Sequence, residues 1–227
     1  MRIWDLDPGY LNDQSLLGEH RELHAIAVVL GQRKKGYSRH PETLRWKGFG
    51  WALRRRHRLL AAEMSLRGFN EKTPVRLRAR PGEWPGIFID APGRQIEILR
   101  GKYLDRKPGR IPLPRNAQEL WAQHKYSVMA RDPARYMGIG ARVSVLRRGA
   151  AMDELAAELV QILRTCPPRG RLQNALLHMW GHVSPAGEAP PDSPMRLLAR
   201  IRTLAIESGE QYILHSTALG ELGAWLL

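Results

Sequence analysis

The residues best suited to chemistry lie near the N-terminal end of the chain. Arg2 follows the α-amine of Met1, and an adjacent cation and carboxylate, Arg21 and Glu22, come near the start of a predicted helix. An α-amino group titrates about two pH units below a lysine side chain, so a useful fraction of such amines is nucleophilic at neutral pH. A primary amine beside a carboxylate can form an imine with a sugar, with Glu22 as the acid or base.

Ordinary explanations exist for both groups. A terminal amine commonly belongs to a frayed chain end. A helix carboxylate such as Glu22 is commonly solvated and paired with a neighbouring arginine. Gly18 lies one helical turn before Glu22, and a residue without a side chain there leaves space for a ligand.

The charge of the chain indicates a polyanionic partner. The 227 residues include 36 Lys and Arg against 22 Asp and Glu, a net charge of +14, and the pI is about 10.7. Nucleic acid is the leading partner, and an anionic membrane surface or an arginine-rich proteome is the alternative. The cations that we expect to contact phosphates, unless they only form a solvated helix face, are Arg2, Arg21, Arg33, Lys34, Lys35, Arg39, Arg54, Arg55 and Arg58.

Several classes of protein are disfavoured by the sequence. Cys166 is the single cysteine, so an intrachain disulfide is excluded and a reducing cytoplasm is indicated. Cys and His residues lack zinc-site spacing, and His178 with His182 lacks further ligands, so we expect no metal and no cofactor. We find no signal peptide and no apolar run long enough to span a membrane. We therefore expect a cytoplasmic, nucleoid-associated protein.

Helical spacing of apolar residues predicts an all-α chain in two parts. The first part, residues 1–114, ends in a Pro- and Gly-rich stretch with a strand or buried loop at Ile87-Phe88-Ile89. The second part, residues 115–227, reads as a helical bundle of unknown function. The predicted helices cover 12–31, 49–67, 95–104, 116–131, 133–148, 151–165, 169–182, 194–208 and 210–225.

The first part resembles a known enzyme family. Residues 1–75 resemble the pyrimidine-dimer DNA glycosylases, which include phage endonuclease V, through Arg2-Ile3, Gln14, Glu19-His20-Arg21-Glu22-Leu23 and Glu63-Met64-Ser65-Leu66-Arg67-Gly68-Phe69-Asn70. The resemblance implies an endonuclease V-like helical domain in which the α-amine of Met1 attacks the sugar and Glu22 supports the transition state. It also implies DNA contacts for Arg2, Gln14 and Arg21, and makes Tyr103 a candidate for the aromatic residue that reads damage.

The second part resembles another family. Residues 116–183 resemble an uncharacterised helical family through the stretches 119–126, 131–136 and 169–181. Relatives of that family are fused to desulfidase domains that act on thiolated uracil, which implies a role in handling nucleic acid. We therefore expect Arg169 and His124 to assist nucleic-acid binding.

These features lead to one functional hypothesis and two alternatives. The hypothesis is a DNA-repair glycosylase with AP lyase activity on duplex DNA that carries pyrimidine-dimer type lesions, acting through an imine with the N-terminal amine. The alternatives are a non-catalytic DNA- or RNA-binding protein and an enzyme that acts on a modified tRNA base. The position of the Met1 nitrogen relative to the Glu22 carboxylate separates the first two hypotheses.

Overall fold

The computed structural model describes residues 1–32, 36–77, 80–147 and 152–226. Its N-terminal half has a short 3-10 helix at Pro8–Tyr10 and four α-helices. These are α1 (Asp13–Gln32), α2 (Pro41–Trp46), α3 (Gly50–Leu66) and α4 (Pro92–Lys102). The sequence predicted α1, α3 and α4 but missed α2, whose six residues are too few to show a helical period.

The C-terminal half is also helical. It contains α5 (Ala117–Met129), α6 (Pro133–Ser144), α7 (Asp153–Leu163), α8 (Arg169–Val183), α9 (Pro194–Ser208), α10 (Gln211–Leu214), α11 (Ala218–Glu221) and a 3-10 helix (Leu222–Trp225). The single helix predicted over 210–225 is wrong, because the chain breaks into these three short pieces.

The all-α prediction is confirmed for the described residues, which contain no strand. The strand predicted at Ile87-Phe88-Ile89 is wrong, because the chain has no strand there. The buried loop is also wrong for Ile87 and Ile89, which are 67% and 44% exposed, whereas Phe88 packs partly buried against the first core. None of the helices in the described ranges is long and apolar enough to cross a membrane.

Local capping explains where several helices begin and end. Asn12 accepts a hydrogen bond from the Ser15 amide at 2.9 Å at the start of α1. Asn116 accepts one from the Glu119 amide at 2.9 Å, and Asp132 caps α6 ahead of Pro133. Gly209, in the left-handed conformation with φ of 67°, ends α9. These side chains and backbone conformations are local, so the sequence could locate most helix ends.

Two hydrophobic cores share α5. The first core packs α1, α3 and α4 with apolar residues of α5, α6 and α7. The second core packs α5 with α8, α9 and the short C-terminal helices. In addition, α11 and the last 3-10 helix pack on α3. Packing therefore continues across residues 114 and 115, where the sequence analysis set its domain boundary, and that boundary stays a prediction.

Candidate active site

The N-terminal segment is held inside the protein rather than frayed. Ile3, Trp4 and Leu6 are each at most 5% exposed and belong to the first core. The Ile3 amide donates a 3.1 Å hydrogen bond to Glu42 Oε1, on α2. Burial of three large apolar side chains and a fixed amide give Met1 a defined position at the protein surface.

Asp5 ties this segment to both halves of the chain. Its Oδ1 accepts hydrogen bonds from Arg45 at 2.6 Å and from Arg164, at the end of α7, at 2.7 Å. Its Oδ2 accepts one from Gln95, on α4, at 2.9 Å. Charge-assisted bonds of this length are strong and directional, so the C-terminal half contributes directly to the placement of the N-terminus.

The terminal amine and the Glu22 carboxylate are neighbours. The Met1 nitrogen lies 4.0 Å from Glu22 Oε1, and the Glu22 side chain is 39% exposed. The Arg2 amide donates a 2.5 Å hydrogen bond to Glu22 Oε2. The backbone of the second residue thus orients the carboxylate beside the amine, and the carboxylate remains partly open to a ligand.

Helix α1 positions Glu22 through its buried face. Leu16, Leu23 and Ile26 on this helix are fully buried. Helical spacing places Glu22 and Gly18 at one edge of that face, and His20 and His24 at the opposite edge. A Cβ atom at Gly18 would meet no atom within 4 Å, so space for a ligand lies next to Glu22, as the small residue predicted.

An open, basic cleft of about 480 Å³ lies beside Glu22, between α1, α4 and the N-terminal segment. Four residues that the sequence analysis selected line it together: Arg2, Gln14, Arg21 and Glu22. Two further cations, Lys102 and Arg106, also line it, and Arg106 donates a 3.1 Å hydrogen bond to Gln14 Oε1. Neither cation was predicted as a site residue, because both lie far along the chain from Glu22, in and after α4.

Arg2 is held at the rim of the cleft by other side chains. It pairs with Asp90, and its guanidinium lies 4.6 Å from the centre of the Trp4 ring. Partial burial lowers the pKa of Arg2, although the nearby carboxylates of Glu42 and Asp5 oppose this. These contacts fix the side chain where a phosphate in the cleft could reach it.

The other predicted phosphate contacts lie elsewhere. Arg39 and Arg58 are exposed, and Arg54 is half-buried. Arg55 donates to the Ala224 carbonyl at 3.1 Å and stacks on Trp225 at 4.4 Å. These four arginines do not line the cleft. The remaining three cations, Arg33, Lys34 and Lys35, lie outside the described residues. The continuous basic face therefore stays a prediction.

The basic run of α3 is less exposed than its sequence indicates. Arg56 and His57 are 3% and 6% exposed. Arg56 makes a bidentate ion pair with Glu19 at 2.7 and 2.9 Å and donates to the Leu6 carbonyl at 2.7 Å. Burial lowers the pKa of Arg56, but the Glu19 carboxylate more than offsets this and raises it. Arg56 is thus a structural cation beneath the cleft.

Two aromatic candidates are also buried. His124 is 4% exposed and bonds through Nδ1 to the Leu120 carbonyl at 2.9 Å. The expectation that it binds nucleic acid is therefore wrong. Tyr103 is 7% exposed and its hydroxyl accepts from the Asn12 amide at 3.1 Å, so it does not present a ring to a base. Arg169 is exposed, and its role stays a prediction.

We expect His124 to make stability depend on pH. Burial lowers its pKa from 6.5 to about 4, so the folded protein keeps the ring neutral where the unfolded chain protonates it. The contribution of the buried neutral ring to the free energy of unfolding is complete above pH 6.5 and is lost as the pH falls towards 4. Between pH 7 and 4, wild type should lose about 3 kcal/mol of unfolding free energy relative to His124→Phe. Urea unfolding at several pH values measures this, and parallel curves for the two proteins would contradict it.

A second group of polar side chains converges at the opposite edge of α1. His20 and His24 from α1, His57 from α3 and Glu71 each offer a ligand atom, and the four atoms lie within 4.8 Å of one another. Burial lowers the pKa of His57 to about 4 and also lowers that of His20. This cluster was not predicted from the sequence. Its one visible signal was the spacing of His20 and His24, four residues apart on a helix.

Comparison with known proteins supports both resemblances. No curated protein and no solved structure matches the chain. Residues 125–191 match the model of a family described as a protein of unknown function (DUF1722). Residues 1–77, which carry Met1, Arg2, Gln14, Arg21 and Glu22, match the model of the pyrimidine dimer DNA glycosylase family. The two family resemblances predicted from the sequence are confirmed.

Proposed function

We propose that this protein is a DNA-repair enzyme, a glycosylase with AP lyase activity on duplex DNA that carries pyrimidine-dimer type lesions. The family match of residues 1–77 supports a function of the pyrimidine-dimer glycosylase kind. The observation that carries the proposal is the 4.0 Å separation of the Met1 nitrogen and Glu22 Oε1, because Glu22 lines the same cleft as Arg21, Lys102 and Arg106.

In the proposed first step the Met1 amine replaces the damaged base. The unprotonated nitrogen attacks C1′ of the nucleotide, and the glycosidic C–N bond breaks with its electron pair leaving on the base. Positive charge develops on the sugar as this bond breaks. The Glu22 carboxylate, held by the Arg2 amide, stabilises that charge because it lies beside the attacking nitrogen.

The proposed second step cleaves the strand. A proton then moves from the attached nitrogen to the ring oxygen, and the C1′–O bond breaks to open the sugar. The product is a protonated imine, which acidifies the hydrogens on C2′. Glu22 removes one of these hydrogens as a proton, and the electrons of that C2′–H bond form a C2′–C3′ double bond. The C3′–O bond breaks at the same time, and the 3′ phosphate leaves. Water then hydrolyses the imine and releases the free amine of Met1.

Binding of the DNA backbone is assigned to the cations of the cleft. The same cleft is lined by Glu22 and by four cations that come from the N-terminal segment, α1, α4 and the segment after α4: Arg2, Arg21, Lys102 and Arg106. A chain with a net charge of +14 attracts duplex DNA over long distances. Each neutralised phosphate releases counterions, so the affinity should fall steeply with salt.

Lys102→Ala should weaken binding to duplex DNA and reduce the log–log salt slope by about one unit, because one phosphate contact is lost. Fluorescence anisotropy over a range of salt concentrations measures both quantities. Arg196→Ala is the matched control, since Arg196 is exposed on α9 and does not line the cleft. Equal salt slopes for Lys102→Ala and wild type would remove Lys102 from the DNA interface.

The proposed activity is tested with a panel of lesion-bearing duplexes. Oligonucleotides with a cyclobutane pyrimidine dimer, an abasic site or no lesion are incubated with the protein, and released base and strand cleavage are measured separately. Cleavage at both damaged sites with an undamaged duplex left intact supports the proposal. Tight binding without base release or strand cleavage would favour the non-catalytic nucleic-acid-binding alternative.

A further inference from the structure

The cluster at the edge of α1 opposite Glu22 has the composition and geometry of a metal site. His20 Nε2 lies 3.2 Å from His57 Nε2 and 3.3 Å from His24 Nε2. Glu71 Oε1 lies 3.6 Å from His20 Nε2 and 3.8 Å from His57 Nε2. Three imidazole nitrogens and one carboxylate oxygen thus surround a common point.

We propose that His20, His24, His57 and Glu71 bind one Zn²⁺ ion. Zinc sites use histidine nitrogen at about 2.0–2.1 Å and carboxylate oxygen at similar distances in a tetrahedron, which places the donor atoms about 3.3 Å apart. The two shortest separations between donor atoms, 3.2 and 3.3 Å, are close to this value, and all four atoms lie within 4.8 Å of one another. Modest side-chain adjustment brings all four donors to bonding distance.

A cation satisfies these groups better than hydrogen bonds among them. A neutral imidazole has one N–H group, and the ring nitrogen of His20 faces two other ring nitrogens and a carboxylate oxygen at once. One shared proton on that nitrogen can serve only one of those contacts well. A single cation at the common point accepts electron pairs from all four donors.

The proposed ion has a structural role, because four protein ligands fill a tetrahedral site and leave no open position for substrate. The side chains of His20, His57 and Glu71 are only 12%, 7% and 15% exposed. The Thr73 hydroxyl donates a 2.8 Å hydrogen bond to Glu71 Oε1 and orients this ligand from outside the site, as outer partners of metal ligands commonly do.

The site would connect three parts of the chain near the candidate active site. Two ligands lie on α1, one on α3, and Glu71 follows the end of α3. Because Glu22 occupies the other edge of α1, an ion that fixes this helix against α3 also fixes the position of Glu22. The metal site stands on its own donor geometry and does not depend on the proposed DNA chemistry.

The direct test is the metal content of the wild-type protein. Protein purified without added chelator should contain about one zinc per chain by mass spectrometry, with nitrogen and oxygen neighbours at about 2.0–2.1 Å in X-ray absorption. Removal of the ion with a chelator should lower Tm by about 5–10 °C, and added ZnSO₄ should restore it. A chelator-treated protein that neither takes up Zn²⁺ nor changes its Tm would overturn the proposal.

Two variants locate the ion. His24→Ala and His57→Gln should each lower zinc content at least tenfold, whereas His178→Ala, which removes an exposed histidine of α8, should keep one zinc per chain. His24 is only half-buried, so we expect His24→Ala to fold. Its zinc content therefore tests the site even if His57→Gln fails to fold. Stoichiometric zinc in His24→Ala, with the wild-type Tm response, would place the ion elsewhere and overturn the assignment.

Discussion

Glu22→Gln should lower the rate of base excision by about 10²–10⁴-fold and leave the affinity for duplex DNA nearly unchanged. Glutamine keeps an oxygen that can accept the Arg2 amide hydrogen bond, so the N-terminal segment should stay in place. It cannot supply the negative charge that stabilises the sugar or the base that removes the C2′ proton. Single-turnover excision and fluorescence anisotropy measure the two effects separately.

The control for this substitution is Glu97→Gln. Glu97 is an exposed carboxylate on α4 that pairs with Arg94 at 2.7 Å and does not line the cleft. Its variant should excise bases at the wild-type rate. An excision rate in Glu22→Gln equal to that of Glu97→Gln would show that Glu22 has no catalytic role.

Adding one glycine before Met1 should suppress borohydride trapping of DNA by at least about 10²-fold. The Met1 side chain packs against the first core, so the added residue moves the terminal amine away from Glu22 by up to about 3.8 Å. Misplacement of a reacting group by an ångström or more has effects of this size. Denaturing gel electrophoresis after reduction measures the trapped product.

The same glycine added after Leu227 is the control for the longer chain and should leave trapping unchanged. Intact mass measurement establishes which N-terminus each preparation carries. Equal trapping of DNA by the chain with glycine before Met1 and by this control would show that the nucleophile is another amine. The Met1 amine beside Glu22 would then have no catalytic role.

Much of the fold could be predicted because its signals are local. The bounds predicted for α9 agree with the structure, since Pro194 can start a helix and Gly209 adopts the left-handed conformation that ends one. The breaks after α10 and α11 could not be predicted. The last residues pack on α3, and this tertiary packing outweighs the helical spacing of their apolar side chains.

The candidate site was only partly visible in the sequence. Arg21 and Glu22 are adjacent and belong to a recognisable motif, whereas Lys102 and Arg106 reach the same cleft only because α4 packs in the first core. The histidine cluster depends in the same way on the packing of α1 against α3. In the basic run of α3, successive residues point to different sides of the helix, so the sequence did not reveal that Arg56 is buried.

The most direct test of the proposed chemistry identifies the atom that bonds to DNA. The wild-type protein is trapped on an abasic-site duplex with borohydride, digested, and the cross-linked peptide is sequenced by mass spectrometry. We expect a sugar adduct on the α-amine of Met1 and no trapped product when that amine has been selectively acetylated. An adduct on a lysine side chain, with undiminished trapping of the acetylated chain, would contradict it.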